Sequence, residues 1–455
     1  MFVHLFEWKW TDVADECETV LGPLGFEAAQ VSPPQEHIVL GFHPWWTRYQ
    51  PVSYSIEQSR SGTRAEFEDM VSRCAAAGVD IYVDAVINHM TAGDGTGTAG
   101  TAYTKYEYPG LYAQSDFHGA CDVTNYQSEE NVQDCELLGL ADLDTGSGSV
   151  QRKIADYLVE LVGIGVAGFR IDAAKHIQPV ELDAIVDRVN NAVGPAPYVF
   201  AEVIDYGGEA VEARDYYGLG HSSAGAADIT NFRFHSMARN FLGGGQTLSA
   251  LESLSELSLQ MPADKAVVFV ENHDTQRDGG ALDYREPDRY RLATVWMLSQ
   301  PYGFPKVMSS YAFGGRDNGP PSDGGLTRDV SCATSLEEAA VGDWVCEHRD
   351  PAIAAMVGFR RVVAGTTLAN WWDNGADAIA FSRGDRGFVA MSLEAATVTA
   401  EATSGLAPGT YCDVLSGGVD GGMCAGRSVV VGADGAVELD LEFGEAVALH
   451  VDARL

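Results

Sequence analysis

The segment Gly168 to His176, GFRIDAAKH, sets Arg170 and Asp172 two residues apart at the end of an apolar run that begins at Val166 and Ala167. Side chains two apart on a strand share a face, so both look into one cavity. A carboxylate is costly to bury without a cation beside it. Arg170 is that cation, and it is expected to hold Asp172 ionised at neutral pH, as a nucleophile or an electrostatic stabiliser requires. A structural Arg-Asp pair closing a strand is the plainer alternative. Glu202 lies between Phe200, Ala201, Val203 and Ile204, an apolar setting that suits a proton donor. Paired carboxylates of these two kinds, with no Cys, Ser or Lys nucleophile pattern, point to glycoside hydrolysis, where an ionised carboxylate and a protonated carboxyl flank the bond. Asp274 would grip substrate hydroxyls, and Trp45, Trp46 and Tyr49 offer flat faces on which sugar rings stack.

These residues need a frame, and the chain supplies one by alternating short apolar runs with helical patterns. Strands are expected at Val3 to Trp8, Ala28 to Pro33, Ile81 to His89, through the Asp172 segment, and at Tyr198 to Ile204, Ile229 to Phe234, Val267 to Glu271 and Lys306 to Ser309. Helices are expected at Thr11 to Leu21, Val150 to Leu161 and Val180 to Val193. Thr63 and Glu66 form a capping-box pattern that opens another, with apolar positions at Phe67, Met70, Val71 and Cys74. Eight strands alternating with helices imply an α/β fold, a parallel (β/α)8 barrel, spanning residues 1–88 and 144–364. The Gly-, Thr-, Tyr- and Asp-rich stretch 89–143 after strand three is too long for a plain loop and reads as an inserted irregular subdomain. Residues 365–455 alternate with Gly-rich turns and read as a C-terminal all-β sandwich. Barrel active sites lie at the C-terminal strand ends. Asp84, Asn88 and His89, Arg170 and Asp172, Glu202, and His273 with Asp274 converge there from separated strands.

At 455 residues the chain exceeds one ordinary core. Its 65 Asp and Glu against 29 Lys and Arg give a formal net charge of −36, which argues against nucleic acid or an anionic membrane as partner. A neutral polymer as substrate fits this charge, as do life in high salt or a base-composition bias. No apolar run reaches transmembrane length. Met1 leads straight into a strand, as in a mature or trimmed chain that has lost an export signal. Eight cysteines show no zinc spacing, so disulfides and an extracellular, secreted protein are expected. Sequence proximity pairs Cys121 with Cys135, Cys332 with Cys346 and Cys412 with Cys424. Cys17 and Cys74 remain, and other connectivities stay open.

The segments DAVINH, GFRIDAAKH, FAEVID and FVENHD resemble the four signature segments of the α-amylase family (glycoside hydrolase family 13). HPWWTRYQPVSY and PYGFPKVMSSY resemble its chloride-dependent animal-type and actinobacterial branch, and ANWWDNG and GDRGF extend the likeness into the β tail. The resemblance implies a retaining, endo-acting α-amylase that cuts internal α-1,4 bonds in starch and malto-oligosaccharides, acting as a monomer. It implies Asp172 as nucleophile, Glu202 as acid/base and Asp274 as transition-state stabiliser. Substrate would be bound by Trp45, Trp46, Tyr49, Gln50, Asp84, His89, Leu137, Leu140, Arg170, Lys175, His176, Ile204 and His273. The branch also pairs the equivalents of Cys17 and Cys74.

Two ions follow from the same resemblance. Calcium, which takes six to eight oxygens, would join insert to barrel through Asn88, Asp142 and the carbonyls of Gln133 and His176; from spacing alone, Asp142 merely caps the next segment. Chloride would sit with Arg170, Asn272 and Lys306, cancelling two cations that otherwise leave Glu202 ionised; alternatively Lys306 pairs with a carboxylate. Two departures stand out. Gln276 to Tyr284 replaces a longer glycine-rich, histidine-bearing loop of relatives, and Lys306 stands where many carry arginine. A transglycosylase, a maltogenic exo-enzyme and a non-catalytic relative are the competing functions, the last expected to lack one of the three carboxylates.

Overall fold

The computed structural model describes residues 1–217 and 227–455. Eight parallel strands close a barrel: β1 (Phe2–Leu5), β2 (Ala28–Val31), β3 (Asp80–Ala85), β4 (Gly168–Ile171), β5 (Tyr198–Ala201), β6 (Asp228–Thr230), β7 (Ala266–Val268) and β8 (Phe304–Ser309). Each pairs with its sequence neighbours, and β1 completes the ring by placing Phe2 beside Ala28 on one side and Lys306 on the other. The strands end sooner than the apolar runs suggest, so Asn88, His89, Asp172, Glu202 and Asp274 stand on the turns that follow them. One expected strand is partly wrong. Ile229 belongs to β6, but Phe232–Leu242 is a helix, capped by the Asn231 side chain, which accepts from the Phe234 N–H. Alternating Phe232 and Phe234 imitates a strand, and the Asn cap decides for a helix.

Period-two alternation builds the barrel interior in layers. Phe2, Ala28, Tyr82, Phe200 and Val267 form an apolar floor at the N-terminal end. Two residues beyond Phe2, Ala28, Tyr82, Gly168, Phe200 and Phe304 stand His4, Gln30, Asp84, Arg170, Glu202 and Lys306, all buried, while Val267 is followed by the buried Phe269. The alternation that makes the floor apolar thus makes most of the next layer polar. Gly168 lets the Tyr82 ring enter the floor: a Cβ there would lie 2.8 Å from that ring and 2.7 Å from the Tyr198 carbonyl.

Outside the barrel run α1 (Trp10–Glu16), α2 (Arg64–Ala76), α3 (Gly148–Ile164), α4 (Pro179–Ala192), α5 (Phe232–Leu242), α6 (Pro287–Ser299) and α7 (Pro351–Val362). The Thr63–Glu66 capping box opens α2, whose buried residues are the expected Phe67, Met70, Val71 and Cys74. The helix expected at Thr11 to Leu21 changes to a wide π turn over Cys17–Leu21. The excursion after β3 leaves and returns at one point, where Met90 donates to the Ala141 carbonyl (2.9 Å) and Leu143 to the Asn88 carbonyl (3.0 Å). Between these ends are one short ladder, a short helix Glu129–Gln133 and the Cys121–Cys135 bridge.

The C-terminal region is all β. A four-stranded antiparallel sheet of β9 (Leu368–Asp373), β10 (Ala378–Arg383), β11 (Gly387–Ser392) and β16 (Glu445–His450) faces two pairs, β12 (Val398–Thr403) with β15 (Ala436–Leu441) and β13 (Gly409–Cys412) with β14 (Ser428–Val431). Ala380, Phe388, Val437, Leu439 and Leu449 share the core between them, while Ile379, Phe381, Val389 and Met391 on the opposite face join the barrel's core. Both faces of β10 and β11 are therefore buried, which explains their unbroken apolar runs. Arg360 of α7 and Arg383 of β10 donate to the carbonyls of Leu298, Ser299 and Gln300 at the end of α6, cations placed where a helix dipole is negative. No helix among the described residues is long and apolar enough to cross a membrane. The disulfides are Cys17–Cys74, Cys121–Cys135, Cys332–Cys346 and Cys412–Cys424.

Candidate active site

Arg170 points up from β4 into the polar layer and holds three carboxylates. Its Nη1 lies 2.5 Å from Asp84 Oδ1 and 2.9 Å from Asp172 Oδ1, and its Nη2 lies 2.5 Å from Glu202 Oε1. Asp84 is Arg170's register partner on β3, which is why strand pairing alone brings these two together. Its other oxygen accepts from Tyr49 Oη at 3.0 Å and Gln30 Nε2 at 3.4 Å. Immediately after Asp172, Ala173 adopts a left-handed φ of 50°, a strained conformation for a residue with a Cβ. It turns the Ala173 N–H onto Glu202 Oε2 at 3.1 Å, so one backbone kink both ends β4 and orients the second carboxylate.

This arrangement corrects two expectations. Arg170 is not the private counter-ion of Asp172. Burial pushes the Asp172 and Asp84 carboxyls above the usual carboxylate range, Arg170 opposes it, and their mutual repulsion with Glu202 adds to it. Nor does Glu202 sit in an apolar pocket. Its sequence neighbours Phe200 and Val203 are buried in the core, while its own carboxylate meets a guanidinium and an amide. Asp274 is raised to about 7, chiefly by burial and then by Glu202, with Arg170 and Arg277 pulling it down. His273 Nε2 lies 3.3 Å from Asp274 Oδ2. Burial holds His89 down to about 4 and His273 well below its ordinary value, so both rings are neutral at neutral pH; the His89 nitrogens meet the Tyr49 carbonyl (2.9 Å) and Asn88 Nδ2 (3.3 Å).

The cleft above has a volume of about 740 Å³. Trp45, Trp46, Tyr49, Gln50, His89, Leu137, Leu140, Asp172, Lys175, His176, Glu202, Ile204, His273 and Asp274 all line it. Asp84 and Arg170, expected to touch substrate, lie beneath this lining, where they support carboxylates. Tyr49, His273, Phe6 and Tyr311 form a parallel stack with successive centroids 5.1, 5.0 and 6.0 Å apart, and Trp45 stands edge-on against the first three. The indole N–H of Trp45 donates to the Arg316 carbonyl at 3.0 Å and that of Trp46 to Asp317 Oδ1 at 3.2 Å, so one dipeptide on the loop after β8 holds both tryptophans. Lys175 Nζ binds the Ile204 carbonyl (2.5 Å) and Glu209.

Sequence reasoning missed Tyr126, Leu138, Tyr206, Glu209, Asp278, Arg316 and Asp317, which also line the cleft. Tyr206 and Glu209 follow FAEVID closely enough that extending that segment finds them; the others sit on irregular loops with no periodic signal. His4 was missed too. It is fully buried, and neither ring nitrogen has a hydrogen-bond partner.

Of the residues expected to hold calcium, Asn88 and Asp142 meet. Asn88 Nδ2 lies 3.3 Å from Asp142 Oδ1, and His118 Nδ1 lies 2.7 Å from Asp142 Oδ2. Burial raises Asp142 to about 7. His176 Nδ1 contacts the Val132 carbonyl at 2.7 Å, bringing the turn of His176 against Gln133. Among the described residues no three His, Cys, Asp or Glu form a metal-holding group. Lys306 is buried, is pushed down to about 7 by burial and Arg170, and makes no ion pair with a carboxylate among the described residues. Asn272 Oδ1 accepts from the Asp274 and Thr275 N–H groups (3.0 and 2.8 Å), which turns its NH2 end away from that turn.

Comparison with known proteins places this geometry among glycosidases. The profile of the alpha amylase catalytic domain matches residues 24–305, and that of the alpha amylase C-terminal all-beta domain matches residues 369–452. The chain is 45% identical over 476 residues to an alpha-amylase of Tenebrio molitor, covering all of this chain and 97% of that protein. It is 43% identical to an alpha-amylase-related protein of Drosophila melanogaster, over all of this chain and 94% of that one. Among solved structures, a mutant of alpha-amylase I from Eisenia fetida in complex with maltohexaose superposes with a TM-score of 0.91 at 38% identity, covering 99% of this chain and 97% of that one.

The shared guanidinium has a measurable signature. Arg170→Met should lower stability by about 3–5 kcal/mol at pH 8, because it strands buried carboxylates. Asp84 and Asp172 are already raised, and losing Arg170 raises them further, so the folded variant binds protons that the unfolded chain has released. Its stability therefore falls as pH rises, and the deficit should shrink at pH 5. Urea unfolding at both pH values tests this, and an equal deficit at both would rule out Arg170 as their counter-charge.

Proposed function

The chain belongs to the α-amylase family, and from that premise we propose how the mouth of its barrel performs the reaction. The protein is an α-amylase that hydrolyses internal α-1,4-glucosidic bonds in starch and related α-glucans. Asp172 is the nucleophile, Glu202 the acid/base and Asp274 the transition-state stabiliser. The observation that carries these roles is the single guanidinium bridging Asp172 and Glu202 in the cleft floor, which suits the ~5–5.5 Å carboxyl spacing of a retaining site better than the ~6.5–9.5 Å of an inverting one.

Glu202 donates its proton to the glycosidic oxygen as that bond to the anomeric carbon breaks, and Asp172 bonds to the same carbon. Water then attacks that carbon, giving its proton to Glu202 and releasing Asp172 as carboxylate. Three carboxylates surround one guanidinium, so a change of charge on any one of them is felt by the others. Asp274 and neutral His273 and His89 hold hydroxyls of the distorted ring, while Trp45, Trp46 and Tyr49 give stacking surface. Gln50, Leu137, Leu140, Lys175, His176 and Ile204 complete the substrate wall. In this reading the catalytic barrel comprises residues 1–88 and 144–364, the insert 89–143 and the C-terminal domain 365–455. Four disulfides support a secreted, extracellular protein, which we propose acts as a monomer.

Calcium fits the insert junction because the donor set is all oxygen: the Asn88 amide, the Asp142 carboxylate and the carbonyls of Gln133 and His176. Tyr216 Oη donates to the carbonyls on either side of His176, which fixes that turn. A buried carboxylate raised to about 7, with the Asn88 amide and His118 beside it, also suits a cation, which would fasten the insert to the barrel. Chloride fits less through Arg170 than expected, since that side chain already meets three carboxylates. Lys306, the Asn272 amide and the orphaned His4 ring are the better anchors, and an anion there would keep Lys306 charged.

Three measurements test these roles. Asp172→Asn should abolish turnover of soluble starch while malto-oligosaccharide binding persists; activity within about tenfold of wild type would refute the nucleophile, whose loss removes the covalent route altogether. Chelator should lower the unfolding temperature and activity together, with excess calcium restoring both, and unchanged stability would refute the calcium site. Activity should be low after dialysis against a non-binding anion and rise to saturation with chloride, a dependence that Lys306→Gln removes; indifference of the wild type would refute the anion site.

A further inference from the structure

Arg277, on the short loop after β7, is a buried cation that makes no carboxylate ion pair among the described residues. Its guanidinium carbon lies 4.4 Å from the centroid of Phe313, 5.0 Å from Phe6, 5.2 Å from Trp45 and 5.2 Å from Tyr311. Four rings thus take the place of a counter-ion, and a desolvated guanidinium over aromatic faces is where cation–π attraction is strongest. Nη1 donates to the His273 carbonyl at 2.8 Å, and the Arg277 N–H to the Asp274 carbonyl at 2.9 Å. Among the described residues, Nε and Nη2 have no hydrogen-bond partner. A cation buried in this way is costly, yet one side chain touches both the tryptophan at the sugar-facing wall and the turn carrying Asp274.

We propose that Arg277 is a positioning residue that locks the Trp45 face and the His273–Asp274 turn into one rigid unit, so that sugar stacking and transition-state stabilisation share a single alignment. The proposal rests on the substrate-facing role of Trp45 given above. Only a planar guanidinium can fill the cage and bond the His273 carbonyl at the same time; a lysine ammonium carries the charge without the plane. With the cage emptied, Trp45 loses a ring-facing partner and the turn loses a tie, the first acting on binding and the second on turnover.

The test is a double-mutant cycle on maltohexaose hydrolysis with Arg277→Met, Arg277→Lys, Trp45→Ala and the Trp45→Ala combinations. Arg277→Met should raise KM and lower kcat, each by about tenfold, with Arg277→Lys giving most of the same loss. In the Trp45→Ala background the KM effect of removing Arg277 should vanish while the kcat effect remains. Wild-type kinetics for Arg277→Lys would show that charge alone matters and overturn the cage. A KM effect of equal size with and without Trp45 would overturn the coupling to the tryptophan. Should Arg277→Met fail to fold, the lysine arm carries the cycle alone. Trp45→Ala with a wild-type KM would instead refute the sugar-stacking role, and with it the KM half of the proposal, leaving Arg277→Met to decide the kcat half.

Discussion

One guanidinium against three buried carboxylates is the constraint around which the barrel mouth is arranged. The polar layer exists because each strand alternates its faces, and whatever stands two residues beyond the aromatic floor must point into the same space. Arg170 reaches Asp84 through the β3–β4 register and Asp172 through the i, i+2 spacing. Glu202 is reached only because β5 lies next to β4 in the ring. Remove any link in this order of strands and the negative charges lose their common partner. The strained Ala173 belongs to the same economy of space: it adds an amide where a second cation would not fit.

Much of this was legible in the chain before any coordinates. The Thr63–Glu66 box and its four buried positions could be read because cap chemistry and helical period are local, and the order of eight strands because apolar runs are separated by helices. The carboxylates and histidines at the barrel mouth could be named because strand ends carry them, whereas Gln50, Leu137 and Leu140 followed only from the family resemblance. What stayed hidden was long-range. Asp84 lies 86 residues from Arg170, so nothing in either segment says that they share a bond or that Asp172 must share its cation. The apolar flanks of Glu202 misled for a related reason: on an extended chain the neighbours in sequence face the other way. His4 and Arg277 look like ordinary strand and loop residues until rings from several elements close around them.

The rim of the cleft shows a second logic, in which aromatic contacts replace regular secondary structure. Trp45 and Trp46 sit on a short turn with no sheet to brace it, yet their indole N–H groups are bound to Arg316 and Asp317, Trp45 packs edge-on against a ring stack that runs from Tyr49 to Tyr311, and Trp46 packs against Phe42. Arg316 in turn pairs with Asp278 on the loop after β7, at 2.9 Å. The loops after β2, β7 and β8 are thereby tied to one another above the barrel, which gives an irregular surface the rigidity that stacking a sugar requires.

The four disulfides close short stretches of chain, with partners 57, 14, 14 and 12 residues apart. Each lies within its own neighbourhood: the first two helices, the insert, the loop after β8 and the C-terminal sheets. None spans from the barrel to the C-terminal domain, whose attachment rests on packing, on arginine-to-carbonyl bonds and on the bonds that the Leu248 and Ser249 N–H groups donate to Asp377 and the Ala376 carbonyl. Every bridge joins consecutive cysteines, so oxidation can proceed piece by piece as each segment leaves the ribosome, with the correct partner always the thiol that emerged just before. Of the 105 pairings that eight cysteines permit, the chain's own order of emergence favours the native set.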